Sequence, residues 1–131
     1  MRLSRILFVL IAVCALLMTP RARAAAPSYE VYAVKFASAP YAVRNLVAGV
    51  TDRSRMIDIA FTVWVVRGGG RTVLVDAGFY RDKFIQQWKP RDFLKPSDAL
   101  QTKLTIAPDD VTDIIVTHSH WDHVDGADLL D

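Results

Sequence analysis

The stretch Thr117-His118-Ser119-His120-Trp121-Asp122-His123-Val124-Asp125-Gly126 constrains this chain more than any other. It holds every histidine of the sequence, set among carboxylates directly after the apolar run Ile114-Ile115-Val116. Neutral imidazoles and carboxylates are the ligands that zinc and related ions accept where no thiolate is on hand. His118 and His120 are two residues apart. If the strand continues through them, both rings point the same way and can grip one ion at about 2.0–2.1 Å. Asp122 and His123 follow after the chain turns and can face a second ion. Two such positions about 3.5–4 Å apart form a two-metal hydrolytic site. Solvent-facing histidines are the plain alternative. A lone His pair would not exclude it, but His-x-His-x-Asp-His after a buried-type strand argues for ligands. Gly126 is expected to let the backbone turn into a helix beginning near Ala127. Trp121 can wall a pocket or serve packing alone.

The first residues limit where such a site works. Arg2 and Arg5 precede the apolar run Ile6–Met18, Thr19-Pro20 breaks it, and Ala22-Arg23-Ala24 supplies small residues for cleavage. This is the layout of a secretory signal peptide over residues 1–24, with the cut between Ala24 and Ala25. The run is shorter than the roughly 20 apolar residues of a membrane span. Export is therefore expected, to the periplasm or beyond, with no stable membrane anchor after cleavage. Part of the 52% hydrophobic content belongs to this leader. So do four of the basic residues, which leaves residues 25–131 with 12 Lys and Arg against 14 Asp and Glu, a net charge of −2. No basic patch points to nucleic acid. The single cysteine, Cys14, leaves with the leader, so disulfides and thiolate ligands are excluded from the mature chain.

Along the mature chain the pattern is mixed. Ser28–Phe36 reads as a first strand. Ala37–Ser54 is less regular: Pro40 argues against a central strand there, and Gly49, Asp52 and Ser54 mark loop. Arg44, Arg53 and Arg55 either line a pocket or form ordinary solvated surface. In Ile57–Val66, Ile57, Ile59, Phe61, Val63 and Val65 share one face by the period of two. Gly68-Gly69-Gly70 supplies a tight reversal, because another strand, Arg71–Val75, comes next where a phosphate loop would need a helix. Asp76-Ala77-Gly78 ends that strand. Asp76 is either a carboxylate placed for use or the ordinary Asp-Gly turn cap. Arg81–Trp88 is expected as a short amphipathic helix ended before Pro90. Ser97–Leu104 is expected as a second, capped by Ser97 or Asp98. Ile114–Val116 reads as a short strand of the buried type.

With these residues in view, His118-x-His120-x-Asp122-His123, together with the strand Thr72–Val75 and Asp76-Ala77-Gly78, resembles the metallo-β-lactamase-fold hydrolases. Ile57–Phe61, Trp64–Gly69 and Val73–Phe79 are similar to the N-acyl homoserine lactonase branch. The resemblance spans about residues 28–131. It implies an α+β architecture, an αβ/βα sandwich of which residues 25–131 form the N-terminal half: the first sheet and its helices. It implies two zinc ions in the complete protein, His118 and His120 holding the first, Asp122 and His123 the second. Asp76 would orient a ligand, Asp122 would also handle the proton in catalysis, and a metal-activated water would attack a lactone, ester or amide carbonyl. The expected activity is that of an exported zinc-dependent hydrolase, lactonase-like, with β-lactamase and thioesterase as options on the same fold. The alternative of another class is a truncated, non-catalytic metal-binding fragment. Asp125 stands where the family often has glycine, and an aspartate there is expected to tolerate a left-handed turn. The remaining ligands, a histidine, a metal-bridging aspartate and a last histidine, are expected beyond Asp131.

Overall fold

The structure, a computed structural model, describes residues 26–130. The expected signal peptide lies outside the described residues. Four strands form one sheet in the order β1-β2-β3-β4: β1 Glu30–Ala42, β2 Met56–Gly68, β3 Arg71–Val75 and β4 Asp113–Ile115. β1 to β3 are antiparallel neighbours, and β4 runs parallel to β3. The long connection between β3 and β4 carries helices α1 (Asp82–Trp88) and α2 (Pro96–Leu104). A third helix, α3 (Trp121–Val124), is a single turn following β4. The mixed α+β architecture agrees with the sequence reading. Among the described residues no helix is long and apolar enough to cross a membrane.

The alternation in β2 works as expected. Phe61, Val63 and Val65 are buried, while Asp58, Ala60 and Trp64 on the other face are exposed. Opposite them, Val34, Ala37 and Ala39 of β1 and Leu74 of β3 complete the buried face. Phe79, Ala99, Leu100 and Ile106 of the β3–β4 connection cover that face. The other face leaves Val31, Trp64 and Ile115 exposed. Gly69 and Gly70 make the two-residue reversal between the register partners Gly68 and Arg71. Their φ values of 59° and 76° are those of the primed turns, which only glycine adopts without steric cost.

Four local expectations need correction. β1 does not stop at Phe36 but runs through Pro40 to Ala42. Proline is tolerated because β1 is an edge strand and its register shifts between Lys35 and Ala37. Beyond that bulge, the Ser38 N–H donates away from β2, to Arg91 O at 3.0 Å. Pro40 is two residues on, so its missing N–H also faces away from β2 and no ladder bond is lost. Helix α2 begins at Pro96, with Lys95 as its N-cap and no side-chain cap, not at Ser97 or Asp98. A proline in the first turn has no N–H to satisfy and a preset φ, so it starts the helix unaided. The strand β4 is not of the buried type: Ile115 and Val116 are exposed at the sheet edge. Finally, Asp125 has a right-handed backbone, φ −64° and ψ −27°, so no left-handed tolerance is called on.

Candidate metal centre

The histidine stretch begins where β4 ends. The strand stops at Ile115, and His118 and His120 sit in the loop beyond it, not on a continued strand. Their rings nonetheless meet. His118 Nε2 and His120 Nδ1 face each other at 2.9 Å. Two nitrogens gripping one tetrahedral zinc stand roughly 3.3 Å apart, so the loop holds this pair near the spacing one ion requires. His120 then becomes the N-cap of α3, whose single turn carries Asp122 and His123. The His118 and His123 ring centroids are 3.9 Å apart. Asp122 Oδ2 lies 3.6 Å from His123 Nε2, so the four expected ligands lie beside one another.

Asp76 stands beneath them. Its backbone is left-handed at φ 60°, a conformation aspartate tolerates better than most residues. Its side chain is 9% exposed and works as an acceptor hub. Asp76 Oδ1 accepts from the Thr117 N–H at 2.8 Å and from its hydroxyl at 2.9 Å. Asp76 Oδ2 accepts from His123 Nδ1 at 2.7 Å. Burial pushes the Asp76 carboxyl pKa upward, and the Thr117 amide, His123 imidazole and Thr117 hydroxyl outweigh it, holding the group below its ordinary value. An ionised Asp76 only accepts, so the neutral His123 ring carries its proton on Nδ1 and leaves Nε2 as the free donor. Thr117 extends the same logic. Its one hydroxyl proton goes to Asp76, so at 3.0 Å its oxygen accepts from His118 Nδ1. That leaves His118 Nε2 unprotonated. Thr117 is a contributor the sequence reading passed over, because a hydroxyl between two elements gives no spacing signal.

Asp125 has its own anchorage. Its buried carboxylate accepts from the Tyr80 N–H at 3.0 Å, the Arg81 N–H at 3.1 Å and the Arg81 guanidinium. Burial pushes its pKa up, and the Tyr80 amide and Arg81 groups bring it below the ordinary value. Gly126 meets its constraint by space, not by dihedral. Its φ is −89°, and a Cβ there would lie 2.2 Å from Ala77 O. The Gly126 N–H donates to Gly78 O at 3.0 Å, and the Ala77 N–H to His123 O at 2.8 Å. The segment Asp76–Arg81 is therefore stitched along the whole length of the turn that bears Asp122 and His123.

Beside the cluster opens a cavity of about 350 Å³, lined by Tyr41, Leu46, Ile59, Phe61, Trp88, His120, Trp121 and Asp122. Its walls are mostly aromatic or aliphatic, and two of the expected ligands form one side. Trp121 does both jobs left open by the sequence. It lines this cavity and stacks on Phe84 at a centroid distance of 4.4 Å. Arg44, Arg53 and Arg55 are exposed and absent from the lining, so they are solvated surface. The donor chemistry suits a zinc-type ion: three imidazoles, one carboxylate and a carboxylate fixing a tautomer. The set is only part of a shell. Among the described residues no group of three or more His, Cys, Asp or Glu side chains is disposed to hold an ion.

A family model described as the metallo-beta-lactamase superfamily matches residues 62–131, more than half of the chain, including the whole His-x-His-x-Asp-His stretch. The chain belongs to the metallo-beta-lactamase superfamily. Solved structures agree on the superfamily fold. A probable metal-dependent hydrolase from Staphylococcus aureus superposes with a TM-score of 0.60 at 14% identity, over 75% of this chain and 40% of its own. A quorum-quenching N-acyl homoserine lactone lactonase gives 0.64 at 18%, over 76% and 41%. A dizinc quorum-quenching lactonase in complex with a product, N-hexanoyl-L-homoserine, gives 0.50 at 22%, over 73% and 35%. The chain thus spans about two-fifths of the length of these superfamily structures. No match is found among curated proteins.

Proposed function

We propose that the whole protein is an exported, zinc-dependent hydrolase that opens lactones or related acyl esters and amides, and that this chain supplies the first half of its metal site. The observation that carries the reading is the Asp76–Thr117–His118–His123 network beside an apolar cavity. It prepares unprotonated nitrogens on two histidines and spends a buried carboxylate to do so. His118 and His120 would hold one ion, and Asp122 and His123 a second. Bound zinc supplies Lewis acidity and brings the pKa of water toward about 7. The chain's own residues do the rest. Asp76 fixes the His123 ring, and Asp122, at the cavity wall, takes up the proton released on attack. Tyr41, Ile59, Trp88 and Trp121 present an apolar wall that suits an acyl chain and excludes water. The solved lactonases that share the fold, one of them dizinc with an acyl-homoserine product, support the lactone over other acyl substrates.

The test is a substrate panel on the zinc-loaded whole protein: an N-acyl homoserine lactone, a β-lactam and a glutathione thioester. The proposal expects kcat/KM highest on the lactone, and lower by about 10²–10⁴-fold in Asp122→Asn, the range of a lost proton-transfer group. Preference for the β-lactam or the thioester would reassign the substrate. Turnover unchanged in Asp122→Asn would remove its catalytic role. Export is tested by N-terminal sequencing of the mature protein, with Ala25 expected as its first residue.

A further inference from the structure

We infer that the Arg81–Asp125 pair is a positioning device for one half of the metal centre, the half carried by Asp122 and His123, and leaves the His118–His120 half unaffected. The inference rests on the reading of these four residues as metal ligands. The helix α3 that bears Asp122 and His123 is one turn, Trp121–Val124. A single turn is unstable by itself, since nucleation fixes several dihedrals for one hydrogen bond. It must be held from outside. Asp125 closes that turn through its own N–H, which donates to Trp121 O at 3.1 Å. Its carboxylate then reaches 45 residues back along the chain to the Tyr80 and Arg81 amides.

Arg81 returns the contact three times. Its guanidinium bonds the Asp125 carboxylate, donates to the Asp125 carbonyl at 2.8 Å and reaches Asp128 at 2.8 Å. The Asp128 carboxylate also accepts from the Tyr80 hydroxyl at 3.0 Å. One planar cation thus grips both the side chain and the backbone of the residue that ends α3, a use for which the arginine fork is shaped and a lysine is not. The Asp125 side chain is 5% exposed, and with the guanidinium removed only the backbone N–H groups of residues 80 and 81 remain as its partners. His118 and His120 precede α3 and take no contact from this network. His118 is tied through Thr117 to Asp76, and the His120 ring meets His118 Nε2 at 2.9 Å. Asp76 serves both halves, since it also holds His123 Nδ1, and the Arg81–Asp125 pair adds a support for the Asp122–His123 half alone.

The experiment is a cobalt titration of the metal-free whole protein, following the visible bands of each bound ion. His118→Ala and His123→Ala assign the two binding events. Arg81→Met is expected to weaken the Asp122–His123 event by about tenfold or more, the scale of a lost supporting contact to a metal ligand. The His118–His120 event should stay within about threefold. Arg81→Lys keeps the charge but not the fork and should fall between, which serves if Arg81→Met folds poorly. Equal weakening of both events, or unchanged affinities with only a lower unfolding temperature, would show a merely structural pair and overturn the inference. Wild-type protein that binds fewer than two ions overturns the ligand reading itself, and this inference with it.

Discussion

Asp76 shows how much one side chain does here. It takes a left-handed backbone, a buried position and three hydrogen-bond donors from two elements. The backbone conformation makes Asp76→Asn the informative substitution, because asparagine also tolerates it. An amide has one acceptor and one donor end. Whichever way it turns, its NH₂ meets either the Thr117 N–H or the His123 Nδ1–H, so one donor is left unpaired or His123 changes tautomer. Metal affinity of the whole protein is expected to fall about 10–100-fold, read by chelator competition. The charge has a second consequence. The folded-state pKa of Asp76 lies below its ordinary 3.8. Its stabilisation is therefore present above that ordinary value and lost as pH falls through the folded pKa. Asp125 adds the same sign. Urea midpoints measured between about pH 3 and 5 should rise with pH in the wild type, and less steeply in Asp76→Asn. From the sequence alone Asp76 could be a helper or a turn cap. The structure gives it Thr117 and His123 as partners, some forty residues away, a proximity no local pattern carries.

The elements were legible where one physical signal dominated. The alternation of β2 and the glycine pair of the hairpin read directly into structure. β1 did not, since Pro40 breaks central strands but not edges, and edge position is a property of the sheet. The His118–His120 geometry was anticipated for a different reason from the real one. The rings converge because the loop turns them together, not because a strand alternates through them. Helix α3 is too short to announce itself in sequence, and its support by Asp76–Arg81 is long-range. The close seam between these segments gives a prediction at this scale. In Gly126→Ala the new methyl would overlap Ala77 O, a backbone atom that cannot rotate away. Stability should drop by about 1–3 kcal/mol in urea unfolding, the cost of overpacking a tight site, with the loss concentrated in amide exchange of residues 121–126 and 76–78.

The described chain is a four-stranded sheet with one face covered and the candidate metal centre at the end of β4. The covered face is filled largely by aromatic rings: Phe36, Phe61, Phe79, Phe93 and Trp121. The other face keeps Val31, Trp64 and Ile115 exposed. A polypeptide of residues 25–131 is therefore expected to self-associate, with sedimentation as the check. Fold class was visible in the sequence, and so was the grouping of His118, His120, Asp122 and His123, because the His-x-His-x-Asp-His spacing is so restrictive. The cavity beside it was not, since Tyr41, Ile59, Trp88 and Trp121 come from four separate segments. The most direct test of the account is the metal content of the purified whole protein, with and without the ligand residues. Two zinc ions per chain are expected in the wild type, falling toward one in His123→Ala and in His118→Ala, with hydrolysis lost on chelation and regained on adding zinc. Zinc content unchanged by both substitutions, or hydrolysis that survives complete removal of metal, would contradict it.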